Sequence, residues 1–130
     1  MNSAGKTHIL VLDDEKDIIH SLQIILEFSG YQVSSFLSPL QALDFFSQNF
    51  ANVHLVLTDL TMPEMNGREF SRMVKKIKKD IPIIILSGYT EENMTELKEE
   101  ILIFDFLAKP VEIDVLLAAV ASAIGSSSEL

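Results

Sequence analysis

The sequence predicts an α/β fold in which helices cover both faces of a doubly wound, five-stranded parallel sheet. Short apolar runs alternate along the chain with longer segments whose apolar residues recur at helical spacing. Most of these runs lack the polar alternation of half-exposed strands, which is typical of parallel strands buried on both faces. The length of 130 residues falls in the range of one domain and is too short for two.

Five strands are predicted from the apolar runs and the polar residues that end them. Four are mainly apolar throughout, whereas one alternates polar and apolar side chains, as a strand at one side of a sheet does. The predicted strands are His8–Leu12, Gln32–Phe36 (the alternating one), Val53–Leu57, Ile83–Leu86 and Phe104–Ala108.

Helices are predicted for the segments between the strands. Gly30 is expected to stop the first helix, and Ser38-Pro39 supplies an N-cap and a first-turn proline for the second. Residues 62–67 are expected to form a loop before the third. The predicted helices are Asp17–Ser29, one with the apolar residues Leu40, Leu43 and Phe46, one with the stripe Phe70, Met73, Val74 and Ile77, Thr90–Glu100, and Ile113–Ile124.

Composition narrows the classes of function. Ten Lys and Arg against 19 Asp and Glu give a formal net charge of −9, which disfavours binding to nucleic acid or to anionic lipid. The absence of cysteine excludes disulfides, thiolate metal sites and a cysteine nucleophile. No apolar run approaches the roughly 20 residues of a membrane span, and no signal peptide precedes the first strand. We therefore expect a soluble, cytoplasmic domain.

Polar residues follow four of the five predicted strands. They are Asp13 and Asp14, Asp59, Ser87 and Lys109. Ligands of open parallel sheets bind beyond the carboxyl ends of the strands, so these side chains are candidates for one site. Three carboxylates there would repel one another, and Mg²⁺, which prefers carboxylate oxygens, would offset the charge together with the lysine. The competing interpretation is structural: the first two aspartates would cap a helix, the serine would form a turn and the lysine would be solvated.

Taken together and in order, these residues resemble the receiver domain of response regulators in two-component phosphorelays, specifically a chemotaxis-regulator-like single receiver. The resemblance implies the flavodoxin-like strand order 2-1-3-4-5. It extends over residues 8–124, which leaves 1–7 as a flexible N-terminus and 125–130 as a disordered tail or the start of a linker. The residues that carry it are Asp13, Asp14, Asp59, Ser87, Lys109 and Pro110, with Met62, Pro63 and Gly67 in the loop after Asp59.

The resemblance implies a role for each residue of the site. Asp59 would accept a phosphoryl group from a phosphohistidine of a sensor histidine kinase or a histidine phosphotransfer protein. Asp14, Asp59 and the backbone carbonyl of Thr61 would bind Mg²⁺, or Mn²⁺ in its place, with Asp13 acting through a water. Lys109 would pair with Asp59 before transfer and with a phosphoryl oxygen after it. The domain would catalyse only its own phosphorylation and dephosphorylation, so it would not be a conventional enzyme.

The resemblance also implies a conformational output. Ser87 would hydrogen-bond the phosphoryl group and Phe106 would turn inward behind it, without the hydroxyl of the tyrosine common at that place. The predicted Thr90–Glu100 helix, the last strand and the last helix would then bind a downstream protein or an attached effector domain. Thr61 and Tyr89 would influence the lifetime of the phosphorylated state.

Two further implications concern single positions. The Lys109–Pro110 peptide would be cis, against a background of roughly one X–Pro bond in twenty. Leu102 and Ile103 depart from the small residues that many receivers carry before the last strand.

Two other classes of function compete with the receiver interpretation. A receiver-like module that binds partners without phosphorylation would be expected to lack one of the acids or the lysine. A metal-dependent aspartyl phosphatase would need a second carboxylate just after Asp59, and Leu60-Thr61 supplies none. Two groups of basic residues are expected to be structural or surface features: the three histidines, and the lysines at 75, 76, 78 and 79 on the outward face of a helix.

Overall fold

The secondary structure alternates strands and helices, as the sequence predicts. The computed structural model describes residues 6–88 and 102–128. The strands in this part are β1 (His8–Leu12), β2 (Gln32–Phe36), β3 (Leu55–Asp59), β4 (Ile83–Ser87) and β5 (Asp105–Ala108). The α-helices are α1 (Lys16–Phe28), α2 (Pro39–Asn49), α3 (Gly67–Ile77) and α4 (Ile113–Ser128), and Phe50–Asn52 form a 3-10 turn. The predicted Thr90–Glu100 helix lies outside the described residues.

All five strands belong to one parallel sheet in the order β2-β1-β3-β4-β5. The registers align the carboxyl ends of the central strands: Leu12 stands opposite Thr58, and Asp59 opposite Leu86. At the next pair Ser87 stands opposite Ala108. This confirms the predicted fold class and strand order, and it brings the residues that follow the strands to one edge of the sheet.

The sheet separates two hydrophobic layers. One joins alternate strand residues to α2 and α3, through side chains such as Phe46 and Phe70. The other joins the intervening strand residues to α1 and α4, through side chains such as Leu26 and Val120. Strands β1, β3 and β4 are buried along their whole length, which explains their apolar runs, whereas the edge strand β2 is only partly buried.

The limits of β4 and β5 each differ from the prediction by one residue at one end, and those of β3 by two residues at both ends. Strand β3 spans Leu55–Asp59 and not Val53–Leu57. Val53 is fully buried, but its N–H donates to the carbonyl of Phe50 in the 3-10 turn and takes no part in the sheet. Apolar character therefore marked burial at this point and not strand pairing. Asp59 itself is the last residue of the strand.

The helix ends follow local chemistry in most places. Ser38 caps α2 by accepting the N–H of Gln41, and Gly30 ends the region of α1 with a φ of +99°. Helix α1 begins and ends one residue earlier than predicted, and two other limits were wrong. Gly67 is already the first residue of α3, capped by Asn66, and α4 continues to Ser128, four residues beyond the predicted end and into the predicted tail. One glycine lowers helix stability by about 1 kcal/mol but does not by itself end a helix.

None of the helices that the structure describes is long and apolar enough to span a bilayer. The domain limits proposed at either end of the chain stay predictions.

Candidate functional site

Three aspartates meet at the carboxyl edge of the sheet. Asp13 and Asp14 follow β1, and Asp59 ends the neighbouring strand β3. Each offers a carboxylate oxygen, and these oxygens lie within 4.8 Å of one another. Asp13 is completely buried and Asp59 is 6% exposed, whereas Asp14 is exposed. The predicted cluster is therefore present, with one of its carboxylates open to solvent.

Lys109 reaches the cluster from the far side of β4. Its ammonium group lies 2.9 Å from Oδ2 of Asp13 and 2.9 Å from Oδ1 of Asp59. The backbone N–H of Lys109 donates to the carbonyl of Ser87 at 2.8 Å, which fixes the start of the side chain at the end of β4. The Lys109–Pro110 peptide is cis, as the resemblance implied.

Asp13 has both of its carboxylate oxygens engaged. Oδ1 accepts the backbone N–H of Glu15 at 2.9 Å, just before α1, and Oδ2 accepts from Lys109. Glu15 is the N-cap residue of α1, and the hydrogen bond from its N–H to Asp13 lies before the helix, so the interpretation of Asp13 as the cap of this helix was wrong. Among the three carboxylates, Asp14 is the one exposed to solvent.

Among the residues that the structure describes, Lys109 is the cation that contacts the buried carboxylates of the site. Burial raises the pKa of the Asp59 carboxyl, and the nearby charge of Asp13 adds to this effect, which the hydrogen bond from Lys109 only partly offsets. Burial alone would lower the pKa of Lys109, but its hydrogen bonds to the two carboxylates raise it above the ordinary value. Lys109 thus stays charged, and its one positive charge faces three carboxylates.

The donor set fits a hard divalent cation. Carboxylate oxygens gathered in an acidic crevice are the ligands that Mg²⁺ prefers, and an exposed member such as Asp14 leaves room for the waters that this ion retains. The cluster of Asp13, Asp14 and Asp59 could therefore hold a metal ion.

The other predicted site residues are placed as follows. Ser87 ends β4 and is buried, and Phe106 on β5 is half-buried against the hydrophobic layer beneath α2 and α3. Thr61 is exposed in the loop after β3. Tyr89 lies outside the described residues. The structure thus brings Asp13, Asp14, Asp59 and Lys109 together, and the carbonyl of Ser87 accepts the backbone N–H of Lys109.

Two residues that were not predicted to act on the site contact the backbone of Asp59. Thr58 donates its hydroxyl hydrogen to the carbonyl oxygen of Asp59 at 2.9 Å, and Gly67 packs against the same carbonyl. The available signal was a hydroxyl residue inside an otherwise apolar strand. Gly67 was predicted only as part of the loop after Asp59.

The groups set aside as structural need one correction. Lys75 and Lys78 are half-buried and donate to the backbone carbonyls of Ile81 at 2.6 Å and Val53 at 2.7 Å, so they do not lie on the outward face. His8 is buried and bonded to Ser34, which confirms its structural role.

The fold and the site match a known family. A model of the response regulator receiver domain matches residues 9–121. The chain therefore belongs to the response regulator receiver family, the receiver domains of two-component systems.

Individual relatives give the same result. Response regulator SaeR of Staphylococcus aureus (strain USA300) is 34% identical over 104 residues, which cover 80% of this chain and 44% of SaeR. The chain thus matches less than half the length of that relative.

Solved structures of receiver domains superpose closely. A receiver domain protein from Clostridium thermocellum has 32% identity and a TM-score of 0.87, over 92% of this chain and 95% of its own. A CheY-like receiver domain protein from Methanospirillum hungatei has 25% identity and a TM-score of 0.90, over 96% and 98%.

Proposed function

We propose that Asp59 is the phosphoryl acceptor of a two-component signalling pathway. The observation that carries the proposal is the ion pair of Lys109 with both Asp13 and Asp59, at an edge of the sheet where a third carboxylate faces solvent. A buried carboxylate held by a single ammonium is oriented for attack, and the hydrogen bond from Lys109 favours its ionised form against the effect of burial. An oxygen of Asp59 attacks the phosphorus of a phosphohistidine, the P–N bond breaks, and its electron pair stays on the imidazole.

The carboxylates of Asp14 and Asp59 and the backbone carbonyl of Thr61 would hold Mg²⁺ or Mn²⁺, with Asp13 bound through a water. When bound, the cation would neutralise charge on the oxygens of the transferred group. Asp13 would contribute chiefly by fixing Lys109, since its own two oxygens already accept hydrogen bonds.

Lys109 and Ser87 would stabilise the product. Once an oxygen of Asp59 is bonded to phosphorus, its carboxyl group is no longer a charged partner of Lys109. The ammonium keeps its contact with Asp13 and gains a phosphoryl oxygen, a charge-assisted hydrogen bond. Ser87, at the end of the adjacent strand, would donate its hydroxyl to another phosphoryl oxygen. The domain thereby catalyses its own phosphorylation and dephosphorylation, and it acts on no other substrate.

The partners would be a sensor histidine kinase or a histidine phosphotransfer protein, and a downstream protein or attached effector domain in the cytoplasm. The proposed output face comprises β5, α4 and the predicted Thr90–Glu100 helix. Exposed apolar side chains support it: Leu102 before β5, and Ile113 and Val115 at the start of α4. Ser87 and Phe106 would report the state of Asp59 to this face, and Thr61 and Tyr89 would set the lifetime of the phosphorylated state.

Intact mass spectrometry tests the proposal. The wild type, Asp59→Asn and Asp44→Asn are incubated with acetyl phosphate, with and without Mg²⁺. Asp44 is an exposed residue of α2 and serves as the control. We expect a single phosphoryl adduct that requires Mg²⁺, persists in Asp44→Asn and is absent from Asp59→Asn. An adduct that survives in Asp59→Asn, or none on folded wild type, would contradict it.

A further inference from the structure

Thr58 and Gly67 both contact the backbone carbonyl of Asp59. We propose that Thr58 and Gly67 form a backbone clamp that positions Asp59 for phosphoryl transfer, an inference that rests on the function proposed above. Neither residue touches the transferred group, so both are positioning residues.

Thr58 supplies the first half of the clamp. It is completely buried and points to the same face of β3 as Val56, the face covered by α2 and α3. Its hydroxyl donates to the carbonyl oxygen of Asp59 at 2.9 Å. A buried hydroxyl needs a partner, and here the partner is the acceptor residue's own backbone. This hydrogen bond restrains the rotation of the peptide that follows Asp59.

Gly67 supplies the second half. It is buried at the first position of α3, and its N–H donates to the carbonyl of Leu60 at 2.7 Å. A Cβ added to it would lie 2.3 Å from the carbonyl oxygen of Asp59, 3.2 Å from its carbonyl carbon and 3.0 Å from Cα of Leu60. All three neighbours are backbone atoms, so no flexible side chain could move aside. Only glycine permits α3 to start this close to β3.

The clamp matters because the carboxylate geometry tolerates little movement. Relieving the 2.3 Å contact to an ordinary van der Waals distance of 3.4 Å requires a shift of about 1 Å. The hydrogen bonds of Lys109 to Asp59 and Asp13 are 2.9 Å long and would not survive such a shift of one partner. Displacements of this size at a reacting group cost up to about a hundredfold in rate.

Four variants test the inference. Thr58→Val removes the hydroxyl at nearly constant volume, and Thr58→Ser keeps it. Gly67→Ala adds the clashing methyl, and Gly125→Ala adds the same methyl where nothing lies within 4 Å. The measurements are the rate of phosphorylation by acetyl phosphate over a Mg²⁺ series, the dephosphorylation rate and the melting temperature.

We expect Gly67→Ala to lose about tenfold or more in rate at saturating Mg²⁺. Thr58→Val should lose severalfold, and Thr58→Ser and Gly125→Ala should match the wild type. If the residues served only folding, Thr58→Val would melt earlier yet react at the wild-type rate while folded, and that result overturns the inference. Should Gly67→Ala fail to fold, the Thr58 pair decides.

The wild type separates the two proposals. A wild type that is phosphorylated on Asp59 while Thr58→Val and Gly67→Ala react equally fast refutes only the clamp. A folded wild type that forms no adduct refutes the proposed function.

Discussion

The two ends of the sheet both bury polar side chains but balance them differently. At the amino end, His8 lies between the hydroxyl of Ser34 at 2.7 Å and the carbonyl of Asn52 at 3.2 Å, and its backbone N–H donates to Nδ1 of His54. Each donor there meets an acceptor, and no carboxylate takes part in these contacts. At the carboxyl end, Asp13 and Asp59 share the ammonium of Lys109, and a third carboxylate, Asp14, lies beside them.

The difference between the two ends shows which buried polar groups indicate a functional site. Burial lowers the pKa of His8, which favours its neutral form, so the amino end is a satisfied hydrogen-bond network. Burial and like charge raise the pKa of Asp59 at the other end, where ionisation is costly. An uncompensated charge marks the site; buried polarity alone does not.

The largest effect on the difference between the two ends is expected from removing Lys109, the cation that contacts Asp13 and Asp59. Lys109→Met should lower the free energy of unfolding by roughly 2–4 kcal/mol in metal-free buffer, because two buried carboxylates lose their partner. It should also abolish phosphorylation. Urea denaturation measures the first effect, with Lys76→Met on the exposed face of α3 as the control. Equal urea midpoints for Lys109→Met and Lys76→Met would contradict this prediction, because they would show that Asp13 and Asp59 do not depend on Lys109 for stability.

A smaller effect of opposite sign is expected from Asp59→Asn. The folded-state pKa of Asp59 is raised, so its contribution to stability is present at acid pH and is lost as the pH rises through that value. The variant should therefore be more stable than metal-free wild type at neutral pH, and the gain should shrink on acidification. Thermal melts across the pH range check this. A gain that stayed constant with pH would show that ionisation of Asp59 is not its cause.

At the amino end, Lys78→Met should cost about 1 kcal/mol of stability, since the ammonium donates to the carbonyls of Phe50 and Val53. The phosphorylation rate should not change, because this end of the sheet takes no part in the site. Urea denaturation and the acetyl phosphate assay measure the two effects. Lys79→Met, at an exposed neighbouring position, is the matched control. Slower phosphorylation of Lys78→Met than of Lys79→Met would show that the amino end of the sheet does affect the site.

The smallest expected effect is a pH dependence that originates at His8. Its folded-state pKa is lowered, so the unfolded state takes up the proton first as the pH falls below about 6.5, and stability is lost there. Burial also lowers the pKa of His54, which adds to the slope. Replacing His8 with Asn should flatten the fall in melting temperature on acidification. The same replacement at the exposed His20 should leave the fall as steep as in the wild type.

Much of the fold and site was predictable because parallel strands constrain where their ends lie. Once Asp13, Asp59 and Lys109 were each assigned to the end of a strand, their convergence followed from the architecture. The edge position of β2 was likewise predictable from its alternating side chains.

The remaining errors have specific physical causes. Lys78 was assigned to solvent because it is charged, but its long apolar stem lets the ammonium turn back to backbone carbonyls. The contact of Thr58 could not be predicted, because threonine is common in strands and the sequence does not show where its hydroxyl donates. Val53 shows that a buried residue next to a strand need not pair within it.

The character of β2 bears on how the protein behaves at high concentration. Within the described residues β2 pairs with β1 alone, so its other side offers backbone groups to any passing strand. The strand is only five residues long, and its two serines direct their hydroxyls to His8 and Gln23. A short, hydrophilic border of this kind is a poor template for intermolecular sheet growth. The shortness of β2 and its polar side chains therefore reduce the tendency of this border to pair with strands of other molecules.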